Sequence, residues 1–222
     1  GRALRASHTV RAGDVLHIAI PGIAPSSEAP PFPPILYEDE RVVVLDKPAG
    51  LLAHPAGADY AWSVIGLAKA RWPGQRVDLV HRLDRDTSGL MLLTKDLDAN
   101  RFLKEVIADR AAEKVYQALV HGEPAWAHTH LRGPIGPAGG PIRIQMGVRP
   151  DGLSAHTEVA VLERRPGRAR VACTLHTGRQ HQIRVHLADA GHPLLGDLLY
   201  ALPLADALVV KEEGATTFHV KQ

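Results

Sequence analysis

Residues 81–89 of this chain, His-Arg-Leu-Asp-Arg-Asp-Thr-Ser-Gly, crowd charged and hydroxyl side chains between two apolar stretches, residues 77–80 and 90–93. Unpaired charge is costly to bury, so charges placed between two core-forming segments must lie at the rim of a cleft. A single reactive carboxylate at such a rim can act chemically on a substrate. Asp84 is the first candidate for that role.

The composition is that of an ordinary soluble protein, because 45% of the 222 residues are hydrophobic and 23% are charged. This length suits one sizeable domain, or one domain with a small appendage. The sequence contains no run of about 18 apolar residues, so no membrane span is predicted. No secretion leader is visible at the start. The single cysteine, Cys173, lies in an apolar run and is expected in the core. We therefore expect a cytoplasmic, reducing setting and no membrane association.

The order of turn and breaker signals predicts three regions. Residues 1–20 contain a turn followed by a strand with alternating apolar positions. Residues 21–34 are rich in proline, which predicts a linker without regular structure. The main domain is therefore expected to cover residues 35–222.

Strands dominate the main domain and do not alternate regularly with helices. This favours an α+β fold with a large mixed, mostly antiparallel sheet and flanking helices over a doubly wound one. A loop rich in Gly and Pro is predicted over residues 133–141. Strands are predicted over residues 35–37, 42–45, 77–80, 90–94, 114–120, 143–148, 157–163 and 168–175. Helices are predicted over residues 61–72, 97–109 (with Phe102, Val106 and Ile107 on one face) and 178–190.

An ionised Asp84 in a partly desolvated cleft needs a cationic partner, because burial disfavours the charged form and a nearby guanidinium favours it. Residues 177–186, Thr-Gly-Arg-Gln-His-Gln-Ile-Arg-Val-His, offer one. On a helix beginning near residue 178, Arg184 stands one turn from Gln180 with His181 beside them. That position borders both core and cleft, where an arginine is usually paired. Arg184 is therefore expected to pair with Asp84.

Residues 114–118 place Lys114, Tyr116 and Ala118 on one face of a strand. A tyrosine between a lysine and a small residue can stack on a planar base. Plainer interpretations stay open, since Asp84 could simply cap a loop and Tyr116 could be a half-buried strand aromatic.

Other chemistries are disfavoured. The histidines that could suggest a metal are His81, His181, His186 and His192, but residues 181 and 186 point apart on a helix and no metal-ligand motif is present. Ser88 is not in a nucleophile elbow, and no glycine-rich phosphate loop occurs. Neither a metal nor another cofactor is expected.

Four strings in this chain, in this order, resemble the RluA family of RNA pseudouridine synthases. They are HRLDRDTSG at residues 81–89, KVYQA at 114–118, TGRQHQIRVH at 177–186 and GHPLLGD at 191–197. The resemblance covers about residues 34–200 and implies the pseudouridine-synthase fold with a central active-site cleft. Residues 1–20 similarly resemble the end of a small RNA-binding domain that often precedes this catalytic domain.

The resemblance implies a role for each matching residue. Asp84 would be the catalytic carboxylate, paired with Arg184, and Tyr116 would pack against the target uracil and take part in proton transfer. On the RNA side, Arg82 would insert where a flipped nucleotide left its stack. The other side chains expected to line the RNA face are Lys114, Arg179 and His181.

The implied reaction is the isomerisation of uridine to pseudouridine in structured RNA by a monomer. Large-subunit ribosomal RNA is favoured over transfer RNA. Whether Asp84 attacks the sugar or abstracts a sugar proton stays open. The alternative is a catalytically silent RNA-binding or ribosome-assembly module on the same scaffold. One departure from the family pattern is Ala201, where the family usually has Gly.

Overall fold

The computed structural model describes residues 29–55, 62–140, 142 and 144–202. The predicted appendage and most of the linker lie outside these residues. The described strands are β1 (Ile35–Glu38), β2 (Val42–Lys47), β3 (Asp78–Leu79), β4 (Gly89–Thr94), β5 (Val115–His121), β6 (His128–Leu131), β7 (Ile135–Pro137), β8 (Met146–Val148), β9 (Thr157–Arg165) and β10 (Arg168–Leu175). The described helices are α1 (Val64–Arg71), α2 (Leu97–Ala108) and α3 (Gln182–Asp189).

The first sheet has the strand order β1-β2-β4-β3, with every pair antiparallel. Alternate residues of its two central strands face inward, and Val43, Leu45, Met91 and Leu93 are fully buried. They pack against α1 in one hydrophobic cluster. Ser63 begins α1 by accepting the backbone N–H of Gly66, which satisfies one donor of the first turn.

The second sheet has the order β5-β10-β9-β6, again with every pair antiparallel. Val171 and Cys173 point into a core that Leu187 of α3 completes. Burial raises the pKa of the Cys173 thiol to about 12, so it is an unreactive core residue, as its apolar surroundings in the sequence predict. A two-stranded ribbon of β7 and β8 packs beside α3.

The predicted α+β class and predominance of antiparallel pairing are confirmed, and the described strands divide into two four-stranded sheets and one ribbon. Several details differ from the sequence predictions. The helix predicted over residues 178–190 begins only at Gln182, so Gln180 precedes it and does not stand one helical turn from Arg184. β6 was not expected, because its short polar sequence HTHL carries little apolar signal. The predicted loop 133–141 contains β7, where Ile135 is buried. Phe102 is 63% exposed, so only Val106 and Ile107 of the predicted apolar face turn towards other residues.

A buried polar network fastens α3 to the second sheet. The hydroxyl of Thr157 lies 2.9 Å from Nδ1 of His186 and accepts from the side-chain amide of Gln182. On its other side His186 donates from Nε2 to the carbonyl of Gly133 at 2.8 Å. Both ring nitrogens are thus satisfied when His186 is neutral, and burial lowers its pKa despite the carbonyl contact.

The longest described helix, α2, has 12 residues. A helix needs about 20 apolar residues to cross a bilayer. No helix in the described part of the chain meets that requirement.

The neutral state of His186 predicts a loss of stability in acid. Its pKa in the folded protein lies below the unfolded value of 6.5. The contribution of His186 to the free energy of unfolding is therefore complete above pH 6.5, and it is lost as the pH falls through the folded pKa. The free energy of unfolding, measured with urea at pH 7.5 and pH 5, should fall more between these pH values for the wild type than for His186→Gln. The exposed-site variant His121→Gln should keep the wild-type pH dependence, and equal drops for all three proteins would contradict this role.

Candidate active site

A cavity of about 790 Å³ opens beside the loop of residues 81–89, and both four-stranded sheets contribute to its wall. Asp84 reaches it from that loop, Tyr116 from β5 and Arg184 from α3. These are the three side chains that the sequence singled out as catalytic. Three segments distant in sequence therefore meet at one polar end of the cavity, while α2 supplies apolar side chains such as Val106.

The ammonium group of Lys47 holds the loop of residues 81–89 in place. Its Nζ donates to the carbonyls of Pro48, Leu51 and Arg85 at 2.9, 2.8 and 2.9 Å. The backbone N–H of Gly50 donates to the same Arg85 carbonyl at 2.9 Å. The carbonyl next to Asp84 is thereby tied to the end of β2.

Lys47 is completely buried, which is rare for a lysine. Burial lowers its pKa to about 8, although the nearby carboxylates of Asp86 and Asp84 favour its charged form. Its Nζ therefore supplies three donors to three carbonyls and positive charge close to Asp84. Sequence reasoning missed Lys47, which lies just beyond the strand predicted over residues 42–45.

The other end of the loop depends on Gly89. Its φ of 120° begins β4 in a conformation that side chains rarely adopt. Leu83 is buried between the charged positions and anchors the loop to the first core cluster. Because Leu83 is held in the core, the next residue, Asp84, faces the cavity.

Arg184 forms its two-pronged ion pair with Asp197 and not, as the sequence suggested, with Asp84. Its Nε and Nη2 lie 2.7 and 2.8 Å from the two carboxylate oxygens of Asp197. Burial opposes the charge on Arg184, but the hydrogen bonds and charge of Asp197 raise its pKa, with a smaller contribution from Asp84. The physical reason is burial. Asp197 is 4% exposed and needs a cation, whereas Asp84 faces the open cavity.

The segment after α3 delivers Asp197 by running along β5. The N–H of His121 donates to the carbonyl of Pro193, and the N–H of Leu195 donates to that of Leu119. Asp197 then accepts the backbone N–H groups of Leu199 and Tyr200 through Oδ1. The resulting turn is specified both by strand-like pairing and by the carboxylate.

Tyr200 completes the wall behind Arg184. Its ring centroid lies 4.8 Å from the guanidinium carbon, within cation–π range. Its hydroxyl lies 2.7 Å from Nδ1 of His181 and accepts the backbone N–H of Met146. Burial raises the pKa of Tyr200 to about 12, so its phenol stays protonated beside His181.

Tyr116 is partly buried between the two core clusters and borders the cavity. Burial raises its pKa, and the charge of Asp84 adds to that effect. The phenol is therefore neutral near pH 7. Its neighbour Asp84 is close enough to influence it, which places a carboxylate and a protonated phenol at the same end of the cavity.

The four residues expected on the RNA face divide between two hollows. Arg82 and His181 border the main cavity. Arg179 does not line it, and instead borders a smaller hollow of about 300 Å³, with its Nε donating to the carbonyl of Ser154. Lys114 borders both hollows. His181 has a left-handed backbone with φ 55°, and burial, followed by the charge of Arg184, lowers its pKa.

Sequence reasoning did not identify Asp197, Lys47 or Tyr200 as members of the site, although the sequence carries signals for the first two. A carboxylate in the apolar run Leu-Leu-Gly-Asp-Leu-Leu-Tyr has to be buried, so Asp197 required a cation. Lys47 precedes Pro-Ala-Gly, where a turn exposes backbone carbonyls that need donors. Tyr200 carried no signal of its own, because its role depends on the path of the chain after α3.

The cavity brings the carboxylate of Asp84, cationic side chains and the phenol of Tyr116 to one wall between antiparallel sheets. Residues 41–189 match the family profile described as RNA pseudouridylate synthase. This match covers more than half of the chain, which therefore belongs to that family.

Similar proteins agree with this assignment. One is "Ribosomal large subunit pseudouridine synthase D" of Neisseria meningitidis serogroup A, 37% identical over 82% of this chain and 51% of that protein. Another, of the same name from Xanthomonas campestris, is 35% identical over 96% of this chain and 68% of that protein. An "Uncharacterized RNA pseudouridine synthase" of Chloroflexus aurantiacus is 40% identical over 90% of this chain and 65% of that protein. The chain thus spans between half and about two thirds of the length of these relatives.

Solved structures with this fold include "Human RNA Pseudouridylate Synthase Domain Containing 1". It has a TM-score of 0.63 at 25% identity over 78% of this chain and 70% of that chain. "Human RNA Pseudouridylate Synthase Domain Containing 4" has a TM-score of 0.62 at 27% identity over 81% of this chain and 76% of that chain. The pseudouridine-synthase fold expected from the sequence is confirmed.

The contacts of Lys47 predict that its amino group, as a hydrogen-bond donor to three carbonyls, stabilises the fold. Lys47→Met keeps most of the side-chain volume but leaves three carbonyls without their donor, which should lower the free energy of unfolding by about 1–3 kcal/mol. Because the folded pKa is about 8 and the unfolded one 10.5, wild type should gain stability relative to this variant as the pH rises between those values.

Urea unfolding at pH 7, 8 and 10 measures both effects. Lys104→Met, on the exposed side of α2, serves as the matched control and should change neither quantity. A Lys47→Met protein as stable as wild type would contradict this role.

Proposed function

We propose that this chain isomerises specific uridines of structured RNA to pseudouridine, with Asp84 as the essential carboxylate. The observation that supports this most directly is the meeting of Asp84, Tyr116 and Arg184 at one end of a cavity, in a chain that belongs to the RNA pseudouridylate synthase family. The cavity volume of about 790 Å³ is ample for a nucleotide that has left its stack.

The reaction breaks the bond between the sugar carbon C1′ and N1 of uracil and forms a bond from C1′ to C5 of the same base. The proton on C5 is lost and N1 gains one, so no group is donated and no electron is exchanged. The target nucleotide must first be extruded from its stack, at a cost of a few kcal/mol. The enzyme must then hold the detached base while it turns.

Asp84 acts at the sugar, either on C1′ or on a neighbouring proton. Both roles need a charged carboxylate, and the charges of Lys47 and Arg184 interact with that of Asp84. Arg184 is held rigidly by Asp197, so the positive charge is already in place before RNA binds.

Tyr116 lies where it can pack against the detached base and exchange a proton at C5. Its raised pKa keeps the hydroxyl protonated near neutral pH. Asp84 and Tyr116 therefore have separate tasks, one at the sugar and one at the base.

Cationic side chains beside the two hollows suit the phosphate backbone. Lys114 and Arg179 border the smaller hollow, and Arg82 is exposed at the mouth of the cavity. Arg82 would fill the gap that the extruded nucleotide leaves. Such contacts fix the position of the RNA, while loops outside the cavity select the uridine.

Large-subunit ribosomal RNA is the proposed substrate, because the relatives from Neisseria and Xanthomonas carry that substrate in their names. We expect the chain to act on it as a monomer in the cytoplasm.

Asp84→Asn should abolish isomerisation while leaving RNA binding and the fold intact, because it removes the charge and keeps the shape. The measurement is tritium release from large-subunit ribosomal RNA labelled at C5 of uridine. Asp151→Asn is the matched control, since it alters an exposed carboxylate whose ion pair with Arg149 contributes little. Wild-type turnover by Asp84→Asn, or a wild-type protein that binds the RNA and releases no tritium, would refute the proposal.

Tyr116→Phe keeps the ring but removes the hydroxyl, so RNA affinity should be retained. Turnover should fall by about 10²–10⁴-fold, the usual range for loss of a positioned acid or base. Tyr37→Phe, at an exposed position of β1, should behave as wild type in the same tritium assay. Full activity in Tyr116→Phe would show that the hydroxyl takes no part and that only packing is needed.

A further inference from the structure

Four histidines and one glutamate meet on the solvent face of the second sheet. The residues are His128, His130, His156, His176 and Glu158. None of them borders the main cavity, so the reaction proposed above does not use them there. Imidazole nitrogens and carboxylate oxygens in close proximity are the donor set of divalent transition metals.

The strand register brings these residues together. His130 of β6 lies directly opposite Glu158 of β9, and His128 lies two residues away on the same face, opposite the small Ala160. Glu158 also pairs with Thr174 of β10, so His176 follows on that face by the same two-residue alternation. His156 precedes Glu158 by two residues. Adjacent strands thus direct five side chains to one spot.

The contacts within the cluster are short. Nε2 of His128 lies 2.8 Å from one oxygen of Glu158, and Nε2 of His176 lies 3.1 Å from the other. Nδ1 of His130 lies 3.1 Å from Nε2 of His156. One donor atom from each of His128, His130 and Glu158 falls within 4.8 Å of the other two. Ligand atoms on a tetrahedral zinc ion lie roughly 3.3 Å apart, given bonds of about 2.0–2.1 Å, so small side-chain rotations close the site.

We propose that His128, His130 and Glu158 bind a divalent transition metal ion of the zinc type. His176 and His156 support the ligands, because one contacts the second oxygen of Glu158 and the other contacts the second nitrogen of His130. This arrangement follows the usual construction of metal sites, in which the outer partner fixes the orientation of each ligand.

The donor set selects the class of metal. Two imidazoles and one carboxylate suit zinc, cobalt and nickel, whereas magnesium and calcium prefer oxygen ligands alone. The three ligands leave one position for water.

The sequence carried a signal for this site that was overlooked. His-Thr-His at residues 128–130 places two imidazoles on one face of a strand. His-Thr-Glu at residues 156–158 likewise places the side chains of His156 and Glu158 on one face. Helical spacing does not predict this site, because its ligands lie on strands. Without the strand β6, the two-residue spacing had no structural meaning.

The test is zinc binding to tag-free protein that has been stripped with chelator, measured by calorimetry at pH 7.5. Wild type should bind one equivalent tightly and show a higher Tm with zinc, and cobalt should give visible absorption bands of nitrogen and oxygen coordination. His128→Ala, His130→Ala and Glu158→Gln should each abolish the tight equivalent and the bands. His176→Ala should weaken binding by about 10–100-fold, as expected for a residue that supports a ligand.

The matched control is His121→Ala, an exposed histidine on β5, at the opposite edge of the same sheet. It should bind zinc as wild type does. Circular dichroism of each apo variant verifies folding, and the exposed positions of His128 and His130 make those substitutions tolerable. The proposal would be overturned if His128→Ala and His130→Ala still bound one zinc ion tightly. It would also be overturned if the wild type bound no zinc tightly. Tritium release by the zinc-free protein tests the proposed function separately.

Discussion

The ion pair between Arg184 and Asp197 is the interaction on which the geometry of the site depends. Two nearly parallel hydrogen bonds of 2.7 and 2.8 Å join a mostly buried guanidinium to a carboxylate that is 4% exposed. A buried pair of this kind gains little net stability, because both ions lose their hydration. The pair instead fixes the orientation of the guanidinium, because two hydrogen bonds from a planar group allow a single geometry. The positive charge at the cavity is thereby held in one position.

A second buried cation, Lys47, lies behind the loop of residues 81–89. Lys47 binds three carbonyls, including that of Arg85 next to Asp84, and so determines the path of the loop that carries the proposed catalytic carboxylate. Lys47 lies at the end of β2 and Arg184 lies on α3, so two elements distant in sequence each bring a cation whose charge interacts with that of Asp84.

The sequence predicted the α+β class and most elements correctly where an apolar period was strong. β2 and β4 follow from short apolar runs, β9 and β10 from partial alternation, and α2 and α3 from helical spacing. It failed where side chains gave no such period. β6 is short and polar, and β7 lies in a segment rich in Gly and Pro where only Ile135 is deeply buried. Phe102 illustrates the reverse error, because an apolar residue on a helix does not by itself show which face is covered.

The sequence alone determined the family, the candidate residues Asp84, Tyr116 and Arg184, and the need for a cation near a carboxylate held at a cleft. These follow from local strings and from the cost of burying charge. Only the tertiary structure decided the partners, pairing Arg184 with Asp197, placing Lys47 behind the loop and bringing five side chains together on the face of the second sheet. The physical reason is that a charge can be satisfied by any opposite group within a few ångströms, and sequence distance does not limit which groups the sheets bring that close.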